Sequence, residues 1–296
     1  MNHVEIVWKL AQGVQVGQAL KFATHRFNEE AIESASLDAQ LLLSHVLGVE
    51  RTWLFAHHEH PLTPDQAEAF TALIMRRMRH EPIAYLIKRK EFYGLEFNID
   101  NRVLVPRPET ELLVDHVLDE LSLFQHKPIY VADVGTGSGA IALALAANHP
   151  DVHIFAIDIS EDALDLAESN VQRLDQRQQV TLLCGDLLTP LNQQVDIIVA
   201  NLPYISSNLY VTLDPDVRNF EPRLALESGP EGLDAIRRLL QQVEHYLRPG
   251  GQIFLEIAHD QGKLVESMAK TQFPHAHFIH VYKDYHDHDR IVRVRL

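Results

Sequence analysis

Apolar positions recur at helical spacing through most of the first 80 residues. Intervals of three and four residues predict amphipathic helices there. The sets that carry this prediction are Val4, Val7, Trp8, Ala11 and Val14; Leu37, Leu41, Leu42 and Val46, before Gly48; and Phe70, Leu73, Ile74 and Met78. The third set follows Thr63-Pro64-Asp65-Gln66, where a threonine cap, a proline at the first helical position and a glutamine predict a capping box.

The spacing of the apolar residues then shortens, and residues 91–108 have the pattern of a hairpin linker. Residues 91–97 and 102–105 predict two short strands that pair with each other. The prolines that follow end regular structure, and a helix is predicted to begin near Glu109.

From residue 128 onward, apolar strands alternate with helices, which is typical of a mostly parallel sheet covered on both faces. The predicted strands are 129–134, 152–157, 180–184, 195–200, 251–257, 276–282 and 290–295, with helices near 139–148, 161–173, 231–247 and 262–271. The last two strands have no helix between them and predict an antiparallel pair. The chain therefore divides into a helical domain (1–90), a hairpin linker (91–108) and a doubly wound α/β domain (109–296).

Charge restricts the choice of partner. The 296 residues include 26 Lys and Arg and 41 Asp and Glu, a net charge of −15. Residues 1–90 hold ten of each sign, so residues 91–296 carry the whole excess. Such a chain is a poor candidate for nucleic acid or an anionic membrane surface. Its one cysteine, Cys184, and the lack of an export signal or a membrane-length apolar run predict a cytoplasmic protein.

A glycine-rich turn follows the first strand of the α/β domain and predicts a nucleoside site. Its residues are Asp133, Val134, Gly135, Thr136, Gly137, Ser138 and Gly139. Asp158, which ends the next strand, is suited to the ribose hydroxyls, and Asp186 and Leu187 are suited to the adenine. The same pattern also fits the dinucleotide fingerprint, so a nicotinamide dehydrogenase stays open on the turn alone.

The tetrad after the fourth strand favours methyl transfer. Asn201, Leu202, Pro203 and Tyr204 stand where the carboxyl end of that strand borders the predicted cofactor site. The Asn201 side-chain oxygen and the Leu202 carbonyl can accept from one planar –NH2 group, on which Tyr204 can pack. An amide or exocyclic nitrogen held in this way can be aimed at the methyl carbon of a sulfonium.

The chain resembles class I S-adenosyl-L-methionine-dependent methyltransferases and, within them, the HemK/PrmC family. The segments that carry the resemblance are DVGTGSGAIA (133–142), the NLPY tetrad, FYGLEFNIDNRVLVPRPETELLV (92–114), EPRLALESGPEGLD (221–234) and KDYHDHDRIV (283–292). The resemblance implies N5-methylation of the glutamine in the GGQ motif of peptide chain release factors, and a helical N-terminal domain that binds the release factor. It also implies that residues 135–139 cradle the adenosylmethionine, that Asp158, Asp186 and Leu187 hold its ribose and adenine, and that residues 201–204 hold the glutamine amide.

Two alternative substrates stay open. A sibling family methylates a glutamine of ribosomal protein uL3 and usually has VPRSP at the linker, whereas the PRPETE sequence here favours release factors. A nucleic-acid N-methyltransferase would need a basic recognition region. The chain departs from the family pattern at Leu202, where the family has proline, and at His286-Asp287-His288, where the family commonly has a small residue and glycine.

Three further features have plain interpretations. The eighteen histidines cluster in places but lack the thiolates of a structural zinc site, so no metal is predicted. Cys184 is expected to be a buried, inert thiol. The basic cluster of Arg76, Arg77, Arg79, Lys88, Arg89 and Lys90 is expected to be a solvated helix end, or else a docking patch for an acidic surface.

Overall fold

The computed structural model describes residue 10 and residues 13–296, so the helix predicted on residues 4–14 lies almost wholly outside the described residues. The chain divides into two compact units. One unit comprises Met1–Lys88 with Pro215–Phe220, and the other comprises Arg89–Asp214 with Glu221–Leu296. Among the described residues, no helix is long and apolar enough to cross a membrane.

The first unit is helical. Its helices are α1 (Val16–Glu29), α2 (Ala35–Leu47), α3 (Arg51–Ala56), α4 (Pro64–Arg77), α5 (Ile83–Ile87) and α10 (Pro215–Phe220). Their apolar faces meet in one core around the fully buried Phe27 and Phe70. The predicted capping box is confirmed: Thr63 Oγ1 accepts from the Gln66 amide at 3.2 Å, and the Gln66 side chain accepts from the Thr63 amide at 3.0 Å.

Two arginines of the basic cluster form ion pairs within the helical unit. Arg77 is only 5% exposed and donates to Asp38 at 2.7 Å and to Asp216 on α10 at 2.6 Å. Arg76 forms a bidentate pair with Glu81. For Arg77, both a solvated helix end and a docking patch are therefore wrong, because its guanidinium is buried inside the helical unit.

The second unit is an α/β domain. After a hairpin of β1 (Arg89–Phe92) and β2 (Leu95–Asn98), its elements are α6 (Glu111–Leu121), β3 (Ile129–Val134), α7 (Ala140–Asn148), β4 (Val152–Asp158), α8 (Glu161–Arg173), β5 (Val180–Cys184), β6 (Val195–Ala200), α9 (Ser207–Tyr210), α11 (Asp234–Tyr246), β7 (Leu247–Glu256), α12 (Gly262–Gln272), β8 (Phe278–Lys283) and β9 (Asp289–Arg295). The strand order is β5-β4-β3-β6-β7-β9-β8. Strand β9 runs antiparallel to β7 and β8, and the other six strands all run in the same direction. The predicted fold class is confirmed.

The predicted strand at residues 102–105 is wrong. The hairpin closes earlier because Tyr93 and Gly94 adopt left-handed φ angles of +53° and +71°, which pairs β1 with β2 directly. Beyond it, the Asp100 carboxylate accepts from both the backbone and the side chain of Arg102. This local turn uses hydrogen bonds that a strand would give to a partner.

Cys184 is exposed, so the expectation of a buried thiol is wrong. It is the last residue of β5, and β5 is an edge strand of the sheet. At the end of an edge strand, neighbouring elements cover a side chain less completely than they do in the sheet centre.

Candidate functional site

The glycine-rich turn joins β3 to α7 in a conformation that needs glycine. Gly135, Gly137 and Gly139 have φ angles of +76°, +56° and +79°, in the left-handed region that L side chains rarely adopt. The turn is anchored to β4, because the amides of Gly135 and Thr136 both donate to the Ile157 carbonyl, at 2.8 and 2.9 Å. A Cβ placed on Gly137 would meet no atom within 4 Å, so the turn has open space beside it.

Two carboxylates support this turn from different sides. Asp158 accepts from the Gly137 amide and from the Ser160 amide, both at 2.9 Å, and so fixes the middle of the turn. Asp133 is fully buried and accepts from the Thr136 hydroxyl at 2.6 Å. Burial raises the pKa of both carboxyls, that of Asp133 to about 7. One Asp133 oxygen, Oδ1, has no hydrogen-bond partner among the described residues.

Asp186 and Leu187 follow β5 and border the same cavity as the glycine turn. Leu187 is 8% exposed, and its φ angle of +53° is unusual for a branched side chain. The Oδ2 atom of Asp186 accepts from Arg238 on α11. Arg238 is also part of the cavity wall.

The tetrad begins where β6 ends. The Asn201 side-chain nitrogen donates to the Thr110 hydroxyl at 3.1 Å, and none of the residues that the structure describes donates to Asn201 Oδ1. Leu202 is 5% exposed, and its Cδ2 atom would lie 3.1 Å from a Cβ on Gly135. The leucine that replaces the family's proline therefore packs on the first glycine of the turn.

The loop that carries Tyr204 contacts Gln261 and the segment 228–234. The Tyr204 carbonyl accepts from Gln261 Nε2 at 3.0 Å. A Cβ on Gly232, which has a φ of +73°, would lie 2.2 Å from the same carbonyl, so only glycine fits there. The segment SGPEGLD therefore supports the loop that carries Tyr204.

Arg107 in the PRPET sequence is tied to Glu221. Its Nη2 atom lies 2.5 Å from Glu221 Oε1, and Glu221 Oε2 accepts from the Val105 amide at 3.3 Å. This pair fastens the chain before α6 to the segment after α10, with Arg107 at the cavity wall.

A single cavity brings most of the predicted site residues together. Lining it are Gly135, Thr136, Gly137, Ser138, Asp158, Asp186, Leu187, Asn201, Leu202 and Pro203. Two predicted residues are not part of its wall: Gly139, which directly precedes α7, and Tyr204. No group of three or more histidine, cysteine or acidic side chains among the described residues is arranged to hold a metal ion.

Two family models match the chain. The PrmC N-terminal domain matches residues 18–87, and the methyltransferase small domain matches residues 108–213. A release factor glutamine methyltransferase of Rhodopirellula baltica is 39% identical over 95% of this chain and 96% of its own length. Another, of Moorella thermoacetica, is 43% identical over 86% of this chain and 89% of its own. The chain belongs to the release factor glutamine methyltransferase family.

Membership in this family makes the chain a methyltransferase that uses S-adenosyl-L-methionine. The fold agrees: a methyltransferase from Pyrococcus furiosus superposes with a TM-score of 0.51 at 17% identity, covering 75% of this chain and 98% of that one. A nicotinamide dehydrogenase, which the glycine turn alone left open, is excluded.

The cavity fits this cofactor. The side-chain-free face of Gly137 leaves room for a ligand to approach the backbone, and Asp158 lies directly beside it. Asp186 stands at the cavity wall with one oxygen free of Arg238. When bound, adenosylmethionine supplies a methyl group on a positively charged sulfur.

Three residues in or beside the site were not predicted from the sequence. They are Thr110 as the partner of Asn201, Arg238 as the partner of Asp186, and Glu256, whose carboxyl lies near the Thr110 and Tyr204 hydroxyls. Glu256 carries a signal that could have been noticed, because it is a charged residue at the end of the apolar stretch QIFLE in β7. Thr110 and Arg238 carry none, since each meets its partner only through the tertiary fold.

Proposed function

We propose that the protein transfers the methyl group of S-adenosyl-L-methionine to the side-chain amide nitrogen, N5, of the glutamine in the GGQ motif of peptide chain release factors. The observation that carries the proposal is the orientation of Asn201. Because its nitrogen is bound to Thr110, its oxygen is the group presented to a substrate. An acceptor at this place suits an –NH2 group. Curated relatives at 39% and 43% identity are named for this activity.

The chemistry follows from the nature of an amide. Its nitrogen is a weak nucleophile because the lone pair is delocalised into the carbonyl. Asn201 Oδ1 and the Leu202 carbonyl accept its two N–H groups and direct the lone pair at the methyl carbon. The new N–C bond forms as the C–S bond breaks, and the nitrogen then loses a proton to solvent. No strong base is needed, since alkylation makes that proton acidic.

We also propose roles for the remaining predicted residues. Residues 135–139 cradle the methionine part of the cofactor, Asp158 accepts from the ribose hydroxyls, and Asp186 with Leu187 borders the adenine. Tyr204, with Pro203, shapes the loop and presents its ring to the glutamine amide. The helical unit, residues 1–90 in the division made from sequence, recognises the release factor. The hairpin then leads into the catalytic domain, and the reaction takes place in the cytoplasm.

A competition assay tests this assignment. The purified full-length protein is incubated with labelled adenosylmethionine and, in separate reactions, a release factor, the same release factor with the GGQ glutamine replaced by alanine, ribosomal protein uL3, and rRNA. Label is expected in the unaltered release factor alone. Label in uL3 or rRNA, with none in the release factor, would contradict the proposal and favour an alternative substrate.

A further inference from the structure

Glu256 is a buried acid next to the proposed catalytic loop. It is the last residue of β7, and it is 1% exposed. Its Oε2 atom has no hydrogen-bond partner among the described residues. Burying a carboxyl group with an unpaired oxygen costs free energy, so packing does not explain a glutamate at this position.

Two hydroxyl groups act on this carboxyl. The Thr110 hydroxyl and the Tyr204 phenol both favour its ionised form as hydrogen-bond donors, although burial dominates and raises the pKa of Glu256 to about 7. Of the charged groups nearby, Arg290 lowers this pKa and Glu109 raises it. In the part of the chain that the structure describes, Glu256 forms no salt bridge, since the Arg290 guanidinium donates to Asp284 instead.

Thr110 links Glu256 to the substrate-binding asparagine. A threonine hydroxyl has one proton to donate and lone pairs to accept with. The Thr110 oxygen accepts from Asn201 Nδ2 at 3.1 Å, so its own proton is free for Glu256. Thr110 is 4% exposed, which keeps water from replacing either partner. Ala200 pairs with Leu255 in the sheet, so Glu256 at the end of β7 lies beside Asn201. An acceptor at position 256 favours this direction of the Asn201–Thr110 hydrogen bond, because it gives the Thr110 proton a partner.

The consequence concerns the Asn201 amide. If Thr110 directed its proton toward Asn201, it would favour the flipped amide, with the nitrogen facing the cavity. That amide would then present donors to a substrate –NH2 group, which needs acceptors.

We propose that Glu256 is a positioning residue for methyl transfer, which fixes the Asn201 amide through the Thr110 hydroxyl and the Tyr204 ring through its phenol. The proposal rests on the proposed function, because it assumes that Asn201 holds an –NH2 substrate. Thr110 is part of the cavity wall, whereas Glu256 is not. Glu256 therefore acts only through Thr110 and Tyr204.

Four variants of the full-length protein test the proposal, with steady-state methylation of a release factor as the readout. Thr110→Val, which keeps the shape and loses the hydroxyl, is expected to lower kcat by about 10- to 100-fold, the scale of a misplaced reacting group. KM and the Kd for adenosylmethionine are expected to stay within about threefold of the wild-type values. Thr110→Ser is expected to restore most of kcat, because it returns the hydroxyl. Glu256→Gln is expected to lower kcat about tenfold, on the same scale.

The double variant Thr110→Val/Glu256→Gln separates positioning from stability. Residues that act through one chain of hydrogen bonds are expected to give a double variant no slower than the slower single variant. The control is Glu120→Gln. Glu120 is also buried, but it pairs with Arg293 and Gln252, so its loss is expected to lower Tm and leave kcat unchanged.

The outcomes separate the two proposals. Suppose that the wild-type enzyme methylates the release factor. If Thr110→Val and Glu256→Gln then both keep kcat within about twofold of the wild-type value, the positioning role is wrong. It is also wrong if Thr110→Ser is as slow as Thr110→Val, or if the losses follow Tm in every variant, Glu120→Gln included. If the wild-type enzyme leaves the GGQ glutamine unmodified, the proposed function is wrong, and this inference with it.

Discussion

The Asn201 side-chain nitrogen donates a 3.1 Å hydrogen bond to the Thr110 hydroxyl. The two residues are far apart in sequence: Thr110 ends the PRPET sequence before α6, and Asn201 follows β6. The bond decides which end of the Asn201 amide faces the cavity. It also gives the PRPET sequence a role in the catalytic domain, since this sequence supplies Thr110 and, through Arg107, a tie to Glu221.

Gly137 should be essential for the cofactor rather than for folding. Gly137→Ala introduces a Cβ at a φ of +56° into the open space beside the turn, where the cofactor is proposed to lie. Gly94→Ala is a matched control, because Gly94 has a φ of +71°, equally open surroundings and no part in the site. Each substitution is expected to cost ~1 kcal/mol of stability from backbone strain.

Calorimetry with adenosylmethionine distinguishes the two glycine variants. Gly137→Ala is expected to raise the Kd by about tenfold or more, an effect of at least ~1.4 kcal/mol. Gly94→Ala is expected to leave it unchanged. An equal Kd for both variants would contradict the placement of the cofactor against the turn.

Arg238 should tune cofactor affinity through Asp186. Arg238→Met removes the guanidinium that pins one Asp186 oxygen. Because the pair is solvent-exposed, the Kd for adenosylmethionine is expected to rise only about two- to fivefold, with kcat at saturation unchanged. Arg237→Met is the control, since the neighbouring Arg237 pairs with Glu231 and Asp234 instead. Equal Kd values for the two variants would show that Arg238 has no such role.

Arg77 should be a stability residue of the helical unit. Its guanidinium is buried between Asp38 and Asp216, so Arg77→Met leaves two carboxylates without their shared partner. The free energy of unfolding is expected to fall by about 3 kcal/mol, the scale for breaking a buried pair. Arg76→Met, which removes a more exposed pair with Glu81, is expected to cost ~1 kcal/mol or less. Urea unfolding measures both, and equal losses would contradict the buried network.

Glu256 should make folding depend on pH in a defined direction. Its folded-state pKa is about 7, above the ordinary 4.5, because burial disfavours the charged form. Between these values the folded state binds more protons than the unfolded state, so this group's contribution to stability is lost as the pH rises from 4.5 to 7. Glu256→Gln does not titrate. The Tm of Glu256→Gln minus that of wild type is therefore expected to increase between pH 5 and pH 8.

Melting curves of the ligand-free proteins at the two pH values check this expectation. Glu244→Gln, on an exposed position of α11, is the control and is expected to give the same small difference at both. A Glu256→Gln difference that stays constant, or that falls with pH, would mean that the carboxyl is not strained by burial.

The α/β domain could be predicted largely from sequence because its central strands are buried on both faces. The stretch VDIIVA of β6 is apolar almost throughout, and the glycine turn and the tetrad follow strand ends that are easy to recognise. The cavity residues predicted on these strand ends meet because the carboxyl ends of parallel strands lie at one edge. The predicted hairpin is misplaced because the chain turns at Tyr93 and Gly94 rather than at Asp100.

The supporting contacts of the site could not be predicted in the same way. The pairs Asn201–Thr110 and Asp186–Arg238 join residues separated by 91 and 52 positions. No local pattern relates such residues, and many serine, threonine and arginine side chains could have met these partners. The burial of Arg77 could not be predicted for a similar reason, since its partners Asp38 and Asp216 lie on α2 and α10.

The most direct test of the central claim is mass spectrometry of the GGQ peptide after a release factor has reacted with adenosylmethionine and the enzyme. With wild-type enzyme, the glutamine is expected to gain one methyl group on its side-chain amide. With Asn201→Ala it is expected to stay unmodified over the same time, because losing a preorganised group of this kind lowers kcat by about 100-fold or more. Asn208→Ala, at an exposed position of α9, is the control and should react as wild type does. An unmodified glutamine with wild-type enzyme, or full methylation with Asn201→Ala, would contradict the account.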